Sequence, residues 1–414
     1  MTEVTVDGAR LLADLEALAA VGDTGDGGNC RLALTDDDAG GRELVAGWMR
    51  DLGLDVRVDR IGNVVATRAG AGVAGDGGAL DAVMTGSHID TVRTGGRYDG
   101  TLGVLAGLEV VRALDDAGVR TRRPLSVAFF TDEEGSRFAP DMLGSLVYAG
   151  GMPLEDALDV VAIDGAVLGD ELERIGWAGE AAVPGPAPHA YVELHIEQGP
   201  VLEEQGVTIG AVTGVQGISW RELTLTGQAN HAGTTPMRLR RDAGYVAAEV
   251  TTAVRRLARE LGGHQVGTVG RLDLHPDLVN VVAARATMTV DLRNTDGAVL
   301  GEAERRLRDT VDELAAAEGV TAAWRELARF APVEFAPAVI ERVERAAERR
   351  GHSVMRLPSG AGHDAQMLAR MCPTGMVFVP SRAGVSHNPA EYSEPEHLAA
   401  GTQVLADVLV ELAA

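Results

Sequence analysis

The chain has 414 residues, 45% of them hydrophobic, and a formal net charge of -24 at pH 7. Because this length exceeds what one compact core serves well, two domains are expected. The acidic excess argues against nucleic acid and anionic membranes as partners, since a negatively charged surface repels both.

The first 150 residues alternate between helical and strand patterns. Apolar residues at helical spacing predict a helix over residues 6–18, and Thr35 followed by Asp38 is typical of a capped helix start. This alternation predicts an α/β domain whose mixed, largely parallel sheet is flanked by helices. The main further elements predicted here are strands at 54–59, 63–67, 81–85 and 125–131 and a helix at 103–114.

A different pattern begins near residue 214, after a strand predicted at 190–196. Its order of strand, helix, strand, strand, helix, strand is that of a ferredoxin-like sandwich. We therefore expect an inserted α+β ferredoxin-like domain at 214–330 and a discontinuous first domain formed by 1–213 and 331–414. The predicted elements of this part and of the remainder are strands at 219–227, 267–274, 286–293, 374–379 and 386–391, and helices at 242–261 and 299–317.

Imidazole and carboxylate side chains follow the predicted strands. His88 and Asp90 lie on one side of an extended chain, which places Asp90 to accept the second ring N–H of a metal-bound His88. A hydrogen-bonded histidine at a strand end is the alternative. Asp99 follows a Gly-Gly turn, so it is either a turn residue or a carboxylate that offers one oxygen to each of two metals. Glu133 and Glu134 follow an apolar strand, where burying a charged group costs free energy. This position favours a functional explanation, in which one carboxylate binds metal while the other moves protons.

Two further imidazoles, His195 and His387, also follow predicted strands, and each alone is a weak signal. His387, which precedes Asn388 and Pro389, is equally well explained as a turn histidine. Taken in chain order, His, Asp, Glu, His and His would give each of two metals one His, one further His or Glu, and a shared Asp. Imidazole and carboxylate without thiolate suit zinc, and also cobalt or manganese. The set leaves room for a bridging water, as catalytic sites require.

Seven short motifs are spread over nearly the whole chain, at residues 86–91, 95–100, 133–138, 194–200, 230–237, 359–365 and 386–389. In these motifs the sequence resembles the hydantoinase/carbamoylase-type zinc amidohydrolases of the aminoacylase and carboxypeptidase metallopeptidase superfamily. This family includes N-carbamoyl-L-amino-acid hydrolases, allantoate amidohydrolases and β-ureidopropionases.

The resemblance implies a role for each matching residue. It assigns one metal to His88, Asp99 and His195 and the other to Asp99, Glu134 and His387. Glu133 is then the general base, and Asp90 supports His88. The implied substrate contacts are His231, Asn280 and Arg293 of the inserted domain, with Gln198, Gln216 and the loop from Gly360 to Gly362 as further pocket residues.

Two of these roles have structural alternatives. His231 is either a donor to the scissile carbonyl when the domains close or an ordinary loop histidine. Arg293 either binds a substrate carboxylate, which its fork of N–H groups suits, or forms an internal ion pair with Asp291.

The function implied is hydrolysis of an N-carbamoyl-L-amino acid to ammonia, carbon dioxide and the amino acid by two divalent metals. The alternatives are an allantoate amidohydrolase, a β-ureidopropionase, a dipeptidase or aminoacylase, and a non-catalytic ligand-binding homologue. The resemblance also implies a homodimer formed through the inserted lid domain.

Cysteine content and the termini bear on localisation. Cys30 and Cys372 are far apart and form no CxxC pattern, which fits a reducing compartment. No secretory signal is visible at the N-terminus, and no apolar stretch approaches the ~20 residues of a membrane helix. The sequence therefore predicts a cytoplasmic enzyme with a small-molecule substrate.

Overall fold

The computed structural model describes residues 4–74, 78 and 80–414. The chain forms two compact units. The larger unit consists of Met1–Gly214 and Glu334–Ala414, and the smaller unit of Val215–Val333.

The helices and strands follow the predicted alternation. In chain order the helices are α1 (Gly8–Ala19), α2 (Asp36–Asp51), α3 (Thr101–Asp116), α4 (Leu143–Tyr148), α5 (Leu154–Leu158), α6 (Leu168–Arg174), α7 (Val201–Gln205), α8 (Ala243–Leu261), α9 (Gly297–Glu318), α10 (Pro337–Arg349), α11 (Asp364–Leu368) and α12 (Pro395–Leu412). The strands are β1 (Asp55–Val58), β2 (Val64–Arg68), β3 (Val83–His88), β4 (Leu125–Phe130), β5 (Ala190–Ile196), β6 (Ile209–Val215), β7 (Gly217–Thr226), β8 (Val266–His275), β9 (Arg285–Asn294), β10 (Thr321–Phe330), β11 (Val333–Glu334), β12 (Val354–Ser359) and β13 (Thr374–Val379).

Local sequence signals explain where the first helices begin. The Asp7 side chain accepts hydrogen bonds from the amides of Ala9 and Arg10, and so caps α1. Thr35 accepts from the amide of Asp38 at the start of α2, which confirms the predicted cap. Both helices bury an apolar face, and in α1 this face is formed by Leu11, Leu15 and Leu18.

The large sheet has the strand order β1-β2-β4-β3-β5-β13-β6-β11, with β12 also paired to β6. Its centre is parallel, because β3 pairs in parallel with β4 and with β5, and β13 pairs in parallel with β5. Antiparallel pairs lie on either side of this centre, namely β1 with β2, β2 with β4 and β13 with β6. Helices α3 and α12 pack on the central strands and on each other. The predicted fold class, a mixed sheet flanked by helices, is confirmed.

The smaller unit has the predicted strand and helix order. Its antiparallel sheet runs β10-β7-β9-β8, the strand order of a ferredoxin-like sandwich. Helices α8 and α9 contact each other and cover this sheet. The buried core between them includes Leu223, Val250, Met288, Val290 and Val311.

One predicted strand is wrong. Residues 386–391 form bends and a turn, and His387 has a φ of +53°. A side chain at this φ does not fit an extended ladder, and Pro389 lacks an N–H to donate to one. This segment is a loop that leads towards α12. In the part of the chain that the structure describes, no helix is both long and apolar enough to cross a membrane.

Candidate metal centre

The parallel centre of the large sheet brings strand ends from distant parts of the chain to one edge. His88 is the last residue of β3, and Glu133 and Glu134 follow β4. His195 lies near the end of β5. Asp99 stands directly before Gly100, the residue that caps α3. Each side chain is therefore positioned by a regular element that begins or ends beside it.

The structure brings the five predicted ligands together in two groups that share Asp99. On one side, Asp99 Oδ1 lies 3.2 Å from His195 Nε2 and 3.8 Å from His88 Nε2. On the other, Asp99 Oδ2 lies 3.4 Å from His387 Nε2, which is 3.3 Å from Glu134 Oε2. Asp99 thus offers a different oxygen to each group.

Main-chain carbonyls orient two of the imidazole rings. Nδ1 of His88 lies 2.9 Å from the carbonyl oxygen of Asp90, and Nδ1 of His195 lies 2.8 Å from that of Ile196. A carbonyl only accepts, so each Nδ1 carries the proton and Nε2 keeps its lone pair. In His195 this Nε2 also accepts from the amide of Gly100 at 3.1 Å. Such outer hydrogen bonds are the usual means of aiming a metal-binding histidine.

The Asp90 carboxylate acts differently from the sequence-based expectation. Its Oδ1 is 3.9 Å from His88 Nδ1, too far for a hydrogen bond, so the expected acceptor is replaced by the main-chain carbonyl of the same residue. The carboxylate instead accepts from the amides of Glu133 and Glu134, at 3.2 and 3.3 Å. Burial raises its pKa to about 7, and the neighbouring Asp38 contributes to the increase. Asp90 therefore fixes the turn that carries both glutamates.

Glu133 is a buried carboxyl group beside the first ligand group. Its Oε2 lies 3.4 Å from His88 Nε2. Burial raises its pKa well above the usual range, and the charges of Asp364 and Glu134 raise it further. A carboxyl group with a raised pKa at this position is suited to accept and return a proton.

The carboxyl groups of Asp99 and Glu134 give the two ligand groups an electrostatic environment that favours cations. Burial would raise the pKa of Asp99, but its close contacts with the imidazoles of His195 and His387 lower this pKa well below its usual range. Burial raises the pKa of Glu134, and the charge of Asp99 adds to this. The site thus concentrates carboxylates that cations would stabilise.

The donor set fits divalent metals. Each group consists of imidazole nitrogens and carboxylate oxygens without thiolate, which suits zinc, cobalt or manganese. A third group, Glu193 with His195 and His363, shares a ligand with the first. Its Glu193 already accepts from the Ser87 hydroxyl at 2.6 Å and the Ala365 amide at 2.9 Å, so it serves to hold strands and helices together.

Glu391 links the loops of two candidate ligands and was not assigned a role from the sequence. Its buried carboxylate accepts from the amides of Tyr98 and Asp99, at 3.1 and 3.2 Å, and from the Ser386 hydroxyl at 3.0 Å. A Cβ at Gly96 would lie 2.1 Å from its Oε1. Only its position near the His387 motif pointed to it, because the Tyr98 and Asp99 amides that it binds are distant in sequence.

Gln198, expected in the substrate pocket, contacts the metal-ligand shell in this structure. Its side-chain Nε2 donates to Asp99 Oδ2 at 2.9 Å, and its backbone amide donates to the Ser381 hydroxyl at 3.0 Å. Its Oε1 is buried and has no hydrogen-bond partner among the described residues. Gln198 therefore orients the shared carboxylate and leaves a polar acceptor for a further group.

Neighbouring side chains leave no room for a Cβ at Gly100 or at Gly362. Gly100 has a φ of +66°, and a Cβ there would lie 2.3 Å from His88 Nε2. In the predicted pocket loop Gly360 is exposed, and a Cβ at Gly362 would lie 2.9 Å from Met142. The His88 ring therefore depends on the absence of a side chain at residue 100.

His363 lies within the motif at residues 359–365, and no role was predicted for it. The side chain is buried, its Nε2 lies 2.8 Å from the Ser359 hydroxyl, and its ring centroid is 4.5 Å from that of His195. The motif was the signal available in the sequence. The burial of His363 next to a candidate ligand, which the structure adds, is typical of a residue at a functional site.

The smaller unit carries the remaining predicted residues. His231 and Asn280 are exposed and joined through the backbone, because the Ala232 amide donates to the Asn280 carbonyl at 2.9 Å. Arg293 forms the predicted alternative, a bidentate ion pair with Asp291 at 2.9 Å. Its guanidinium lies over the ring of Trp220. Gln216 is buried, and within the part of the chain that the structure describes its Oε1 has no hydrogen-bond partner.

Comparison with known proteins gives consistent results over the full length. The sequence pattern of Peptidase family M20/M25/M40 matches residues 84–411. An N-carbamoyl-L-amino-acid amidohydrolase of Rhizobium meliloti is 43% identical, over 99% of this chain and 97% of that protein. A ureidoglycolate hydrolase of Arabidopsis thaliana is 33% identical, over 99% of this chain and 88% of that protein. The crystal structure of an amidase of the hydantoinase/carbamoylase family from Burkholderia multivorans has a TM-score of 0.94 at 46% identity, over 99% of this chain and 98% of that one.

Proposed function

The chain belongs to Peptidase family M20/M25/M40, and from this premise we propose that it hydrolyses the ureido C–N bond of N-carbamoyl-L-amino acids. The products are the free amino acid, ammonia and carbon dioxide. The observation that carries the proposal is the shared Asp99, which faces a separate ligand group with each carboxylate oxygen while Glu133 lies beside one of them. The choice of substrate rests on the relatives that carry this activity in their names.

The proposal includes two divalent ions per chain, zinc or alternatively manganese or cobalt. His88, Asp99 and His195 would hold one, and Asp99, Glu134 and His387 the other. Bound there, the ions would polarise a carbonyl group and lower the pKa of water.

The chain's own groups would move the proton. Glu133 Oε2 would take a proton from the attacking water as its oxygen bonds to the ureido carbon, and would return that proton to the leaving amino nitrogen when the C–N bond breaks. The carbamic acid released would decompose to carbon dioxide and ammonia. Asp90 holds the Glu133 amide, so Glu133 enters this exchange from a fixed turn.

Residues of the smaller unit would bind and orient the substrate. His231 would donate to the carbonyl oxygen as negative charge grows there. Arg293, with Asn280, would bind the substrate carboxylate through its fork of N–H donors, in exchange for part of its pairing with Asp291. Gln198, Gln216 and the loop of Gly360 and Gly362 would complete the pocket.

The roles of lid and dimer interface for the smaller unit are part of the same proposal. Light scattering on the purified protein tests the homodimer, and a monomer at micromolar concentration would contradict it. We also infer action in the cytoplasm, because Cys30 and Cys372 are both free thiols, as a reducing compartment favours.

A second candidate is hydrolysis of a different ureido acid, as in an allantoate amidohydrolase or a β-ureidopropionase. The similarity to the Arabidopsis ureidoglycolate hydrolase favours this class over a dipeptidase. Both candidates would use the same metals and the same carboxylate anchor. They would differ in what lies between the ureido nitrogen and the carboxylate: a carbon with an amino-acid side chain or a second ureido group, or the longer two-carbon spacer of N-carbamoyl-β-alanine.

Ammonia release by the metal-reconstituted protein tests the proposal. The substrates are N-carbamoyl-L-amino acids, N-carbamoyl-β-alanine, allantoate and ureidoglycolate, with a panel of dipeptides and N-acetyl amino acids assayed in parallel for amino-acid release. We expect the highest kcat/KM with an N-carbamoyl-L-amino acid. Activity on dipeptides alone would overturn the proposal, and ligand binding without turnover would indicate a binding protein.

A further inference from the structure

The loop formed by residues 230–236, here called the histidine loop, folds back on its own histidine. His231 Nδ1 lies 3.1 Å from the amide nitrogen of Gly233 and 3.2 Å from that of Thr234. Both amides point their N–H groups at the same ring nitrogen. The remaining edge of the ring belongs to an exposed side chain.

These two contacts fix where the ring proton is. A backbone amide nitrogen can only donate, so Nδ1 must be the acceptor and carries a lone pair. In the neutral imidazole the proton is then on Nε2. The exposed edge of His231 is therefore a hydrogen-bond donor, and its geometry is set by the backbone before any substrate arrives.

Arg240 holds the turn that supplies the two amides. Its guanidinium donates to the Ala232 carbonyl at 2.6 Å through Nη2 and to the Thr235 carbonyl at 3.1 Å through Nε. These carbonyls stand immediately before and after the pair Gly233 and Thr234. The planar fork of one side chain thus ties both ends of the segment that faces the ring.

The same loop is fastened to Asn280. The Ala232 amide donates to the Asn280 carbonyl, and the Val282 amide donates to the Asn230 carbonyl, both at 2.9 Å. A displacement of the histidine loop would therefore move Asn280 as well as His231.

We propose that Arg240 is a positioning residue that keeps His231 in the Nε2–H form and directs this donor at the carbonyl oxygen of a ureido substrate. The inference rests on the proposed function for its substrate, but the form of the ring does not depend on any substrate. Among the described residues the side-chain hydrogen bonds of Arg240 go only to the histidine loop, so its effect on turnover passes through His231 and Asn280.

The test compares three variants of the full-length, metal-reconstituted protein. Arg240→Ala removes both hydrogen bonds, and Arg240→Lys keeps the charge but cannot span the two carbonyls as a fork does. Arg238→Ala is the matched control, since Arg238 is exposed in the same segment and forms no hydrogen bond or ion pair within the described residues. Circular dichroism melting checks that each variant is folded.

Two readouts separate positioning from a general loss of structure. The first is the 15N spectrum of histidine-labelled protein, with the His231 signal among the ten histidines assigned through His231→Asn. We expect an unprotonated Nδ1 and a protonated Nε2 in wild type and in Arg238→Ala, and averaged signals in both Arg240 variants. The second is steady-state kinetics. We expect kcat to fall about a hundredfold in Arg240→Ala, as a small misplacement of a catalytic group can produce. KM should rise by a smaller factor, because Asn280 moves with the loop.

Each outcome decides between defined alternatives. A protonated Nδ1 in wild type, or Arg240 variants with wild-type kcat and ring signals, would overturn the proposal. If wild type hydrolyses no ureido substrate, the proposed function fails and the carbonyl-directed role fails with it. The ring spectra of wild type and the Arg240 variants would still report separately on whether Arg240 sets the form of His231.

Discussion

The two units of this protein place most of their candidate functional groups in opposite surroundings. In the larger unit His88, Asp99 and His195 are buried to within a few per cent of complete burial, and His387, with a side chain 50% exposed, is the exception. In the smaller unit His231 and Asn280 are exposed, and the Arg293 side chain is 23% exposed. The three buried groups lie at the ends of central strands or at the start of α3, whereas those of the smaller unit depend on a loop and on the end of β9.

This difference matches two kinds of task. Groups that hold cations and a reactive proton need fixed distances and strong fields, which a rigid and poorly hydrated site provides. Groups that recognise a substrate must be reachable from solvent before it binds. We therefore expect substitutions in the larger unit to act mainly on kcat or metal content, and those in the smaller unit to act more on KM unless they misplace His231.

The largest effect is expected from Glu133→Gln. The amide cannot accept a proton, so kcat should fall by about a thousandfold while both metals remain bound. Steady-state kinetics and metal analysis of the same preparation measure this. Glu134→Gln is the matched comparison, because it removes a candidate ligand and should lower metal content instead. A Glu133→Gln enzyme with near-normal kcat would show that the proton is moved elsewhere.

An intermediate effect is expected from Arg293→Lys in the smaller unit. An ammonium group keeps the charge but cannot bind the substrate carboxylate in a bidentate manner, so KM should rise about tenfold with kcat nearly unchanged. Kinetics with an N-carbamoyl-L-amino acid measures both constants. Arg271→Lys serves as the control, since Arg271 lies on the neighbouring strand β8 and pairs with Glu222. An unchanged KM in Arg293→Lys would remove the assigned carboxylate anchor.

The smallest effect is expected in the stability of the metal-free protein. Burial raises the pKa of both Asp90 and Glu391 to about 7. Their unfolded values are about 4, so between these limits the folded chain holds protons that the unfolded chain releases. Stability from these groups is therefore present below about pH 4 and is lost as the pH rises through about 7.

Melting of the chelator-treated protein measures this dependence. The Tm should fall between pH 5 and pH 8, and the fall should be smaller in Glu391→Gln than in wild type. Glu396→Gln, at an exposed position on α12, should retain the wild-type slope. A Tm that rises over this range would contradict the assigned direction.

Much of the fold was predictable because its signals are local. The Thr35 cap, the apolar strands and the element order of the smaller unit each depend on residues close together in sequence. The strand predicted at 386–391 was wrong because local signals do not decide the conformation of this segment. Its conformation is set by contacts of Ser386 and Glu391 with Asp99 and its neighbours, nearly three hundred residues away.

The candidate ligands were predictable as a set, but the groups that orient them were not. The motifs supplied His88, Asp99 and His195, and family resemblance paired them. No sequence pattern shows that Asp90 uses its carbonyl on His88 and its carboxylate on the glutamate turn. The hydrogen bonds of Glu391 are likewise invisible in sequence, because two of its three donors are backbone amides, which every residue except proline has.

Gly100 has a consequence for how such proteins lose their function. Since any side chain there would occupy the space of the His88 ring, decay of the enzyme need not begin at a metal ligand. A descendant gene could retain every imidazole and carboxylate of the centre and still encode a silent copy, with a single added methyl group as the cause. An inventory of ligand side chains alone would count such a copy as active.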